Sequence, residues 1–266
     1  MKQFDNFIQH KGIKGGEGVP NSLESIVKNY KGRIECDVYL LRDGNIAIIH
    51  EQDFNLKRED VEKLDLKGLE ALRLASAGRE ITPPLLKEFI GLAEDADTSL
   101  SLEIRSGSKE GSLILAHNVI NQFLEMDKAG GASHDVKFIE DKVTFESFSV
   151  EVLNKIKKIG QENNKNLKTA LYWPSDEIWA RKINDFDWPE LDKVKNKEGL
   201  SWSELGIEVA SNNDINSLEL QSLNITKELV ERAHNLNLKI GSSPTDDEEL
   251  MKKLIDYGVD YILTTK

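Results

Sequence analysis

Arg33-Ile34-Glu35-Cys36-Asp37-Val38-Tyr39-Leu40-Leu41 reads as a β-strand, because Ile, Val, Tyr and Leu dominate it and suit a pleated, half-buried surface. Strand side chains alternate between faces, so Glu35 and Asp37 point to the same side of an element otherwise fit for burial. Two like charges placed there cost free energy unless a cation, a proton or basic side chains neutralise them. The competing reading is an edge strand with both acids in water, since charged residues are mostly exposed.

The neighbouring segments favour burial. Asp43-Gly44 marks a tight turn, and Ile46-Ala47-Ile48-Ile49 then leads to His50-Glu51, a hairpin pattern. Leu100-Ser101-Leu102-Glu103-Ile104-Arg105 alternates again, with Leu, Leu and Ile on one face and Ser101, Glu103 and Arg105 on the other. Near the start, Phe7-Ile8-Gln9-His10 is a short strand running into Lys11-Gly12. Four strand ends therefore carry His, Glu/Asp, His and Glu/Arg.

Further outward, strands and helical patterns alternate along the chain. Strands are predicted over 5–10, 33–41, 99–105, 143–148, 167–173, 217–222, 238–243 and 261–265, with 46–50 as an extra hairpin arm. Between them, apolar residues recur at helical spacing over 22–30, 84–93, 112–126, 150–159, 226–236 and 246–257. Such alternation predicts a parallel sheet. Eight strands close naturally as a (β/α)₈ TIM barrel, here with a β-hairpin and a small insertion after the second strand. An open doubly wound sheet is the structural alternative. Residues 51–83 read as that insertion, and 174–205 as an irregular excursion on a loop of the carboxyl-terminal face. With no repeat, low-complexity tract or linker, residues 1–266 are expected to form a single domain.

Charged residues make up 31% of the chain and hydrophobic residues 39%, an ordinary soluble composition. A net charge of −12 argues against nucleic-acid binding and against electrostatic docking on anionic membranes. Cys36 is the single cysteine, so no intrachain disulfide can form, which fits a reducing cytoplasm. No segment has the length or flanks of a signal peptide or membrane span, so no integral membrane contact is expected.

Glu35, Asp37 and Glu103 offer three hard oxygen ligands, a set suited to Mg²⁺ or Ca²⁺ and poorly suited to Zn²⁺. His10 and His50 end apolar strands beside these acids and form a candidate acid/base pair, since imidazole titrates near neutrality. Lys11 and Arg105 are the nearby cations. His117 and His134 have no such setting and read as structural or surface groups, and His234 as a solvated or capping group. Trp173, Trp179, Trp188 and Trp202 read as core or loop packing before a lipid-accepting rim. Asp246-Asp247-Glu248-Glu249 reads as a solvated helix start.

His10-Lys11-Gly12, Pro20-Asn21-Ser22-Leu23-Glu24-Ser25, Glu35-Cys36-Asp37-Val38, Arg42-Asp43-Gly44 leading to His50-Glu51, and Leu102-Glu103-Ile104-Arg105 together resemble the glycerophosphodiester phosphodiesterases. That family shows His-Arg-Gly, Pro-Glu-Asn-Thr, Glu-x-Asp-Val, a Lys-Asp-Gly hairpin leading to His-Asp, and Glu-Ile-Lys. Glu146-Ser147-Phe148 looks like its Ser-Phe strand, and Gly258-Val259-Asp260-Tyr261-Ile262-Leu263-Thr264 like its closing strand. Lys11 stands where Arg is usual, Arg105 where Lys is usual, and Glu51 in place of Asp. Ser243-Pro244-Thr245-Asp246 replaces Trp-Thr-Val-Asn, and Thr265-Lys266 replaces Thr-Asp-x-Pro. The missing tryptophan bears on substrate preference more than on chemistry.

The resemblance implies metal-dependent hydrolysis of a glycerophosphodiester to an alcohol and glycerol phosphate. One Mg²⁺ or Ca²⁺ would sit on Glu35, Asp37 and Glu103, with His10 and His50 as acid and base. Lys11 and Arg105 would stabilise charge on the phosphoryl oxygens. The expected partner is a small-molecule phosphodiester, and the expected state a monomer or homodimer. Two alternatives stand beside this: a lysophospholipase D-type activity on lysophospholipids, and a barrel that binds phosphate ligands without turnover.

Overall fold

Alternating side chains give each strand one apolar face and one polar face, and the chain uses the two faces for different purposes. The computed structural model describes residues 7–12, 20–28, 31–72, 74–76, 79–129, 138–183, 186, 188–195 and 199–266. Eleven strands run in chain order: β1 Phe7–Gln9, β2 Arg33–Leu40, β3 Ile46–Ile48, β4 Leu74–Ser76, β5 Arg79–Ile81, β6 Ser99–Ile104, β7 Val143–Ser147, β8 Lys168–Tyr172, β9 Ser217–Leu220, β10 Lys239–Ser242 and β11 Tyr261–Thr264. Eight of them, in the order β1-β2-β6-β7-β8-β9-β10-β11, pair in parallel and return to β1, closing the expected barrel.

β3 lies outside the ring, antiparallel to the far end of β2, with Val38 opposite Ile48 and Leu40 opposite Ile46. The hairpin turns at Gly44, whose φ of 86° suits a residue without a side chain, while Asp43 Oδ1 accepts the Asn45 amide. β4 and β5 form a separate antiparallel pair within the insertion, alongside short helices Arg58–Val61 and Leu66–Ala71.

Outward-facing residues Ile34, Cys36, Val38, Leu100, Leu102, Phe145, Leu171, Leu218, Ile240 and Ile262 are buried in one apolar shell with helical residues such as Phe89, Ile90, Val119 and Ile156. These come from helices Leu86–Asp95, Lys109–Ala129 and Val150–Glu162, placed as the apolar periodicity predicts. The lumen is different. Barrels of this kind usually fill it with branched apolar side chains. Here Glu35, Asp37, Ser101, Glu103, Glu146, Tyr172, Ser217, Glu219 and Tyr261 are all buried at the inward-facing positions, and a smaller apolar patch of Ile8, Tyr261 and Leu263 covers the β1/β11 side.

Gly241 makes one of these lumen residues possible. A Cβ there would lie 2.1 Å from the ring of Tyr261, its register partner on β11. Gly241→Ala is expected to displace that ring and lower stability by about 1–3 kcal/mol, as overpacking does, which a urea unfolding curve will measure. A midpoint equal to wild type would show that the ring has another place to go.

The reading of 174–205 is corrected by the structure. The segment holds helices Glu177–Ala180 and Trp188–Lys195, and its end opens the barrel helix Trp202–Asn212. Ser201 and Glu204 form a capping box at that start: Ser201 Oγ accepts the Glu204 amide, and Glu204 accepts the Ser201 amide. Gly206 and the polar residues around it hid the helical period. Asp247 caps Glu248–Tyr257 by accepting from the Glu249 and Leu250 amides, as the helix-start reading expects. No helix among the described residues is long and apolar enough to cross a membrane.

Candidate active site

β2 and β6 run in register, with Asp37 opposite Glu103 and Glu35 opposite Ser101. The shared inward face brings carboxylate oxygens of Glu35, Asp37 and Glu103 within 4.8 Å of one another. Immediately after β1, the turn His10–Gly12 passes over the same place. Lys11 takes a left-handed φ of 53° and donates its amide to Glu35 Oε2 at 3.0 Å. Gly12 follows at φ 69°, where a Cβ would lie 2.5 Å from Ser25. That double constraint accounts for a glycine two residues after the histidine. The turn leaves His10 Nε2 at 3.8 Å from Glu35 Oε2.

His50 falls just past β3, as the residue preceding the short 3₁₀ turn Glu51–Phe54. Its Nδ1 is 3.6 Å from Asp53, and Asp53 also accepts from the Lys11 ammonium at 3.1 and 3.2 Å. Arg105 continues from β6 and is buried among acids: Nη1 donates to Asp37 at 2.7 Å, Nη2 to Glu51 at 3.2 Å, and Nε lies 3.5 Å from Glu103. Glu51 also accepts from Tyr39 Oη at 2.9 Å. Lys11 and Arg105 thus stand beside the carboxylates, each already engaged by acids.

Burial and crowding set the electrostatics. Burial, then repulsion from Asp37, Glu103 and Glu146, pushes Glu35 well above the usual carboxylate range. Burial raises Glu103 to about 8 despite the pull of Arg105. At Asp37 burial also raises, but the Arg105 charge and hydrogen bond, together with His50, outweigh it and hold the group at about 2. Burial lowers His10 to about 4. Two further lumen acids extend the cluster. Glu146, raised by burial to about 6, accepts from Tyr172 Oη at 2.7 Å, and Glu219 is raised by burial and by Glu146, Glu35 and Glu103.

The donor set fits one hard divalent cation. All three gathered groups are carboxylates, and no Cys or His belongs to the trio. Asn21 stands beside the trio: its Nδ2 donates to Asp37 at 3.2 Å, while its buried Oδ1 has no hydrogen-bond partner. A divalent charge there would offset the repulsion that raises Glu35 and Glu103.

The same repulsion dictates a stability profile. Glu103 at about 8, and Glu35 and Glu219 raised higher than ordinary carboxylates, bind protons more tightly folded than unfolded, so stability is lost as pH rises through their folded values. His10 runs the other way: at about 4 when folded, it costs stability only below its ordinary value of 6.5. Cation-free protein is therefore expected to melt at falling temperature from about pH 6.5 to about pH 9, with Mg²⁺ or Ca²⁺ restoring more at the upper end. Differential scanning fluorimetry across that window checks it, and a flat profile would count against the crowded cluster.

A cavity of about 270 Å³ opens beside Glu35 and Glu103, lined by His10, Glu35, Glu103 and Glu219 together with the aromatic side chains of Phe148, Tyr172, Trp173 and Trp179. Asp37 and His50 are not among its walls. Trp202 and Trp188 pack away from it around Phe186. His117 is a surface group bonded to Asn121, His234 pairs with Asp260 at 2.9 Å, and His134 lies outside the described residues. Reading the sequence alone missed Asn21, Glu146, Tyr172 and Glu219. For Glu219 a signal was present, since Ser217-Leu218-Glu219-Leu220 repeats the alternation of Ser101-Leu102-Glu103-Ile104.

Comparison with known proteins follows the same lines. The model of the glycerophosphoryl diester phosphodiesterase family matches residues 10–266. No curated protein matches the sequence. Among solved structures, the chain is similar to a glycerophosphodiester phosphodiesterase from Parabacteroides distasonis at 16% identity, covering 100% of this chain and 94% of that one, with a TM-score of 0.73. It is also similar to a phosphodiesterase from Oleispira antarctica in complex with the product sn-glycerol-3-phosphate, at 21% identity, 98% and 92% coverage and a TM-score of 0.67. A third, a glycerophosphodiester phosphodiesterase from Thermotoga maritima, matches at 18% identity, 100% and 96% coverage and a TM-score of 0.62.

Proposed function

The chain belongs to the glycerophosphoryl diester phosphodiesterase family and is a phosphoric diester hydrolase, and from that premise we propose that it cleaves a glycerophosphodiester into an alcohol and glycerol phosphate at the acidic mouth of the barrel. The observation that carries the proposal is the gathering of Glu35, Asp37 and Glu103 within 4.8 Å, with His10 against Glu35 and His50 against Asp53.

Glu35, Asp37 and Glu103 would hold one Mg²⁺ or Ca²⁺, with the Asn21 amide steadying Asp37. When bound, that ion supplies charge that polarises the phosphodiester. The rest of the chemistry belongs to side chains. His10 and His50 divide the proton transfers: one takes the proton of the attacking hydroxyl, a neighbouring glycerol hydroxyl or water, and the other returns one to the leaving alcohol. Arg105 keeps Asp37 ionised and, with Lys11, lowers the negative field that an incoming phosphodiester anion meets. The aromatic wall excludes water from one side of the cavity and leaves room there for the alcohol group.

Hydrolysis of a panel of glycerophosphodiesters, scored by released alcohol with and without chelator, tests the reading. Turnover that needs the divalent ion and yields glycerol phosphate is expected. Absence of release from every diester in the presence of Mg²⁺ and Ca²⁺ would end the proposal.

A further inference from the structure

Among the described residues, seven large apolar side chains are exposed, and the two most exposed stand at one place: Leu223 at 77% and Ile178 at 73%. Ile178 lies in the short helix Glu177–Ala180 that follows β8, and Leu223 in the 3₁₀ turn Ser222–Asn224 that follows β9. β8 and β9 are neighbours in the ring, so both tips rise from the barrel's carboxyl-terminal face. Asn224 Nδ2 joins the two segments by donating to Ser175 O at 3.1 Å.

This rim is built on a rigid base. Trp202 Nε1 donates to Pro174 O at 2.7 Å, Trp173 Nε1 donates to Trp202 O at 2.9 Å, and the two indoles pack at a tilt with centroids 5.2 Å apart. From the rim an aromatic track descends. Trp179, itself 41% exposed, meets Phe148 edge-on at 5.6 Å, and Phe148 packs on Tyr172 at 5.3 Å. That track lines the same cavity as His10, Glu35 and Glu103. Polarity therefore changes from carboxylates inside the cavity to largely exposed aliphatic tips outside it.

An amphiphile changes in the same sense: a phosphodiester head for the divalent ion that the carboxylates would hold, and a chain that would run along the aromatics and leave where Ile178 and Leu223 stand. Charge selects among lipid surfaces. At the tip Asp176 and Glu177 stand against Arg181, Lys182 and Lys195, a balance within one charge that gives anionic lipid little to hold. The chain as a whole is at −12.

We propose that Ile178, Trp179 and Leu223 form a docking rim for a zwitterionic lipid surface, from which a long-chain phosphodiester is drawn into the cavity. The rim follows from the exposed side chains alone, whereas the substrate rests on the diesterase reading above. Interfacial contacts of this kind depend on buried apolar area, so they are readable without turnover.

The test uses the intact protein and phosphatidylcholine vesicles. Wild type is expected to sediment with them, and the double variant Ile178→Glu, Leu223→Glu to bind on the order of tenfold or more weakly, the effect of withholding two aliphatic side chains. Neither residue lines the cavity, so the double variant is expected to hydrolyse a soluble glycerophosphodiester at the wild-type rate. It should act more slowly on a long-chain lysophospholipid carried in the vesicles. Wild type that stays in the supernatant, or a variant that sediments equally, overturns the rim. A wild-type dimer that becomes monomeric in the variant, read by analytical ultracentrifugation without lipid, also overturns it, since the patch is then a contact between copies. Inactivity of wild type on soluble diesters would remove the diesterase reading while leaving the sedimentation result to decide the rim.

Discussion

Replacing His10 or His50 by alanine is expected to lower turnover at saturating metal by on the order of a hundredfold or more, the usual loss when a general acid or base is removed. The two reach the site from different elements, His10 in the turn after β1 and His50 after the β3 hairpin arm. They are close enough that the charge of His50 helps hold His10 in its neutral form. One must be protonated while the other is not, so kcat/KM should follow a bell-shaped pH profile whose limbs belong to the pair. Each single variant should flatten one limb, which a purely structural role would not do. His117→Ala is the control, because that exposed ring bonds Asn121 on the surface of its own helix and should be nearly silent. Near-normal turnover in both the His10 and His50 variants would refute two-histidine catalysis while leaving the barrel untouched.

Glu35→Gln and Glu103→Gln are expected to reduce activity by on the order of a thousandfold, since polarisation by a bound ion is worth several kcal/mol. Metal affinity, measured by titration calorimetry, should fall in the same variants. The fold should survive. Glu35 and Glu103 are both raised by burial and by acidic neighbours, so removing one charge relieves repulsion in the cation-free protein. Each variant without metal should therefore melt above wild type without metal at pH 8. Asp37→Asn is expected to behave differently, because Asp37 carries the 2.7 Å bond from the buried Arg105 guanidinium. Its loss strands part of that charge and should destabilise the chain with or without metal. Full turnover by chelated wild type would sink the metal proposal.

The acidic trio and the barrel were legible because both depend on period-two patterning, which a strand displays directly in sequence. Glu35 and Asp37 share a face by arithmetic, and Glu103 sits on the polar phase of its own strand. Contacts made across the lumen carry no such periodicity. Asn21 reaches Asp37 from a turn with a left-handed φ of 51°, and nothing in Pro20-Asn21-Ser22 announces where its amide points. Tyr172 looks like ordinary strand aromatic filling until Glu146 is found 2.7 Å from its hydroxyl. Arg105 was read as a cation for phosphate, and its fork is occupied by three acids, two of which, Asp37 and Glu51, lie 68 and 54 residues away in sequence. The helix Trp202–Asn212 was missed for a local reason, since Gly206 lies against the Trp173 indole where a larger helix former would clash.

The polar lumen has a consequence for how this chain can change over time. In β2, β6 and β9 the even-numbered residues lie in the shell and the odd-numbered ones turn inward, Tyr39 excepted, which packs against the hairpin and the insertion. Neighbours in sequence therefore answer to separate demands, one to being made and kept folded, the next to what the site will accept. A shell assembled without help from the channel lets inward positions drift, swap charge or acquire new ligands while the scaffold persists. The barrel is in this sense a socket whose lining can be rewritten strand by strand, and Glu146 and Glu219, inward acids beyond the trio, are where such rewriting has the most room to begin.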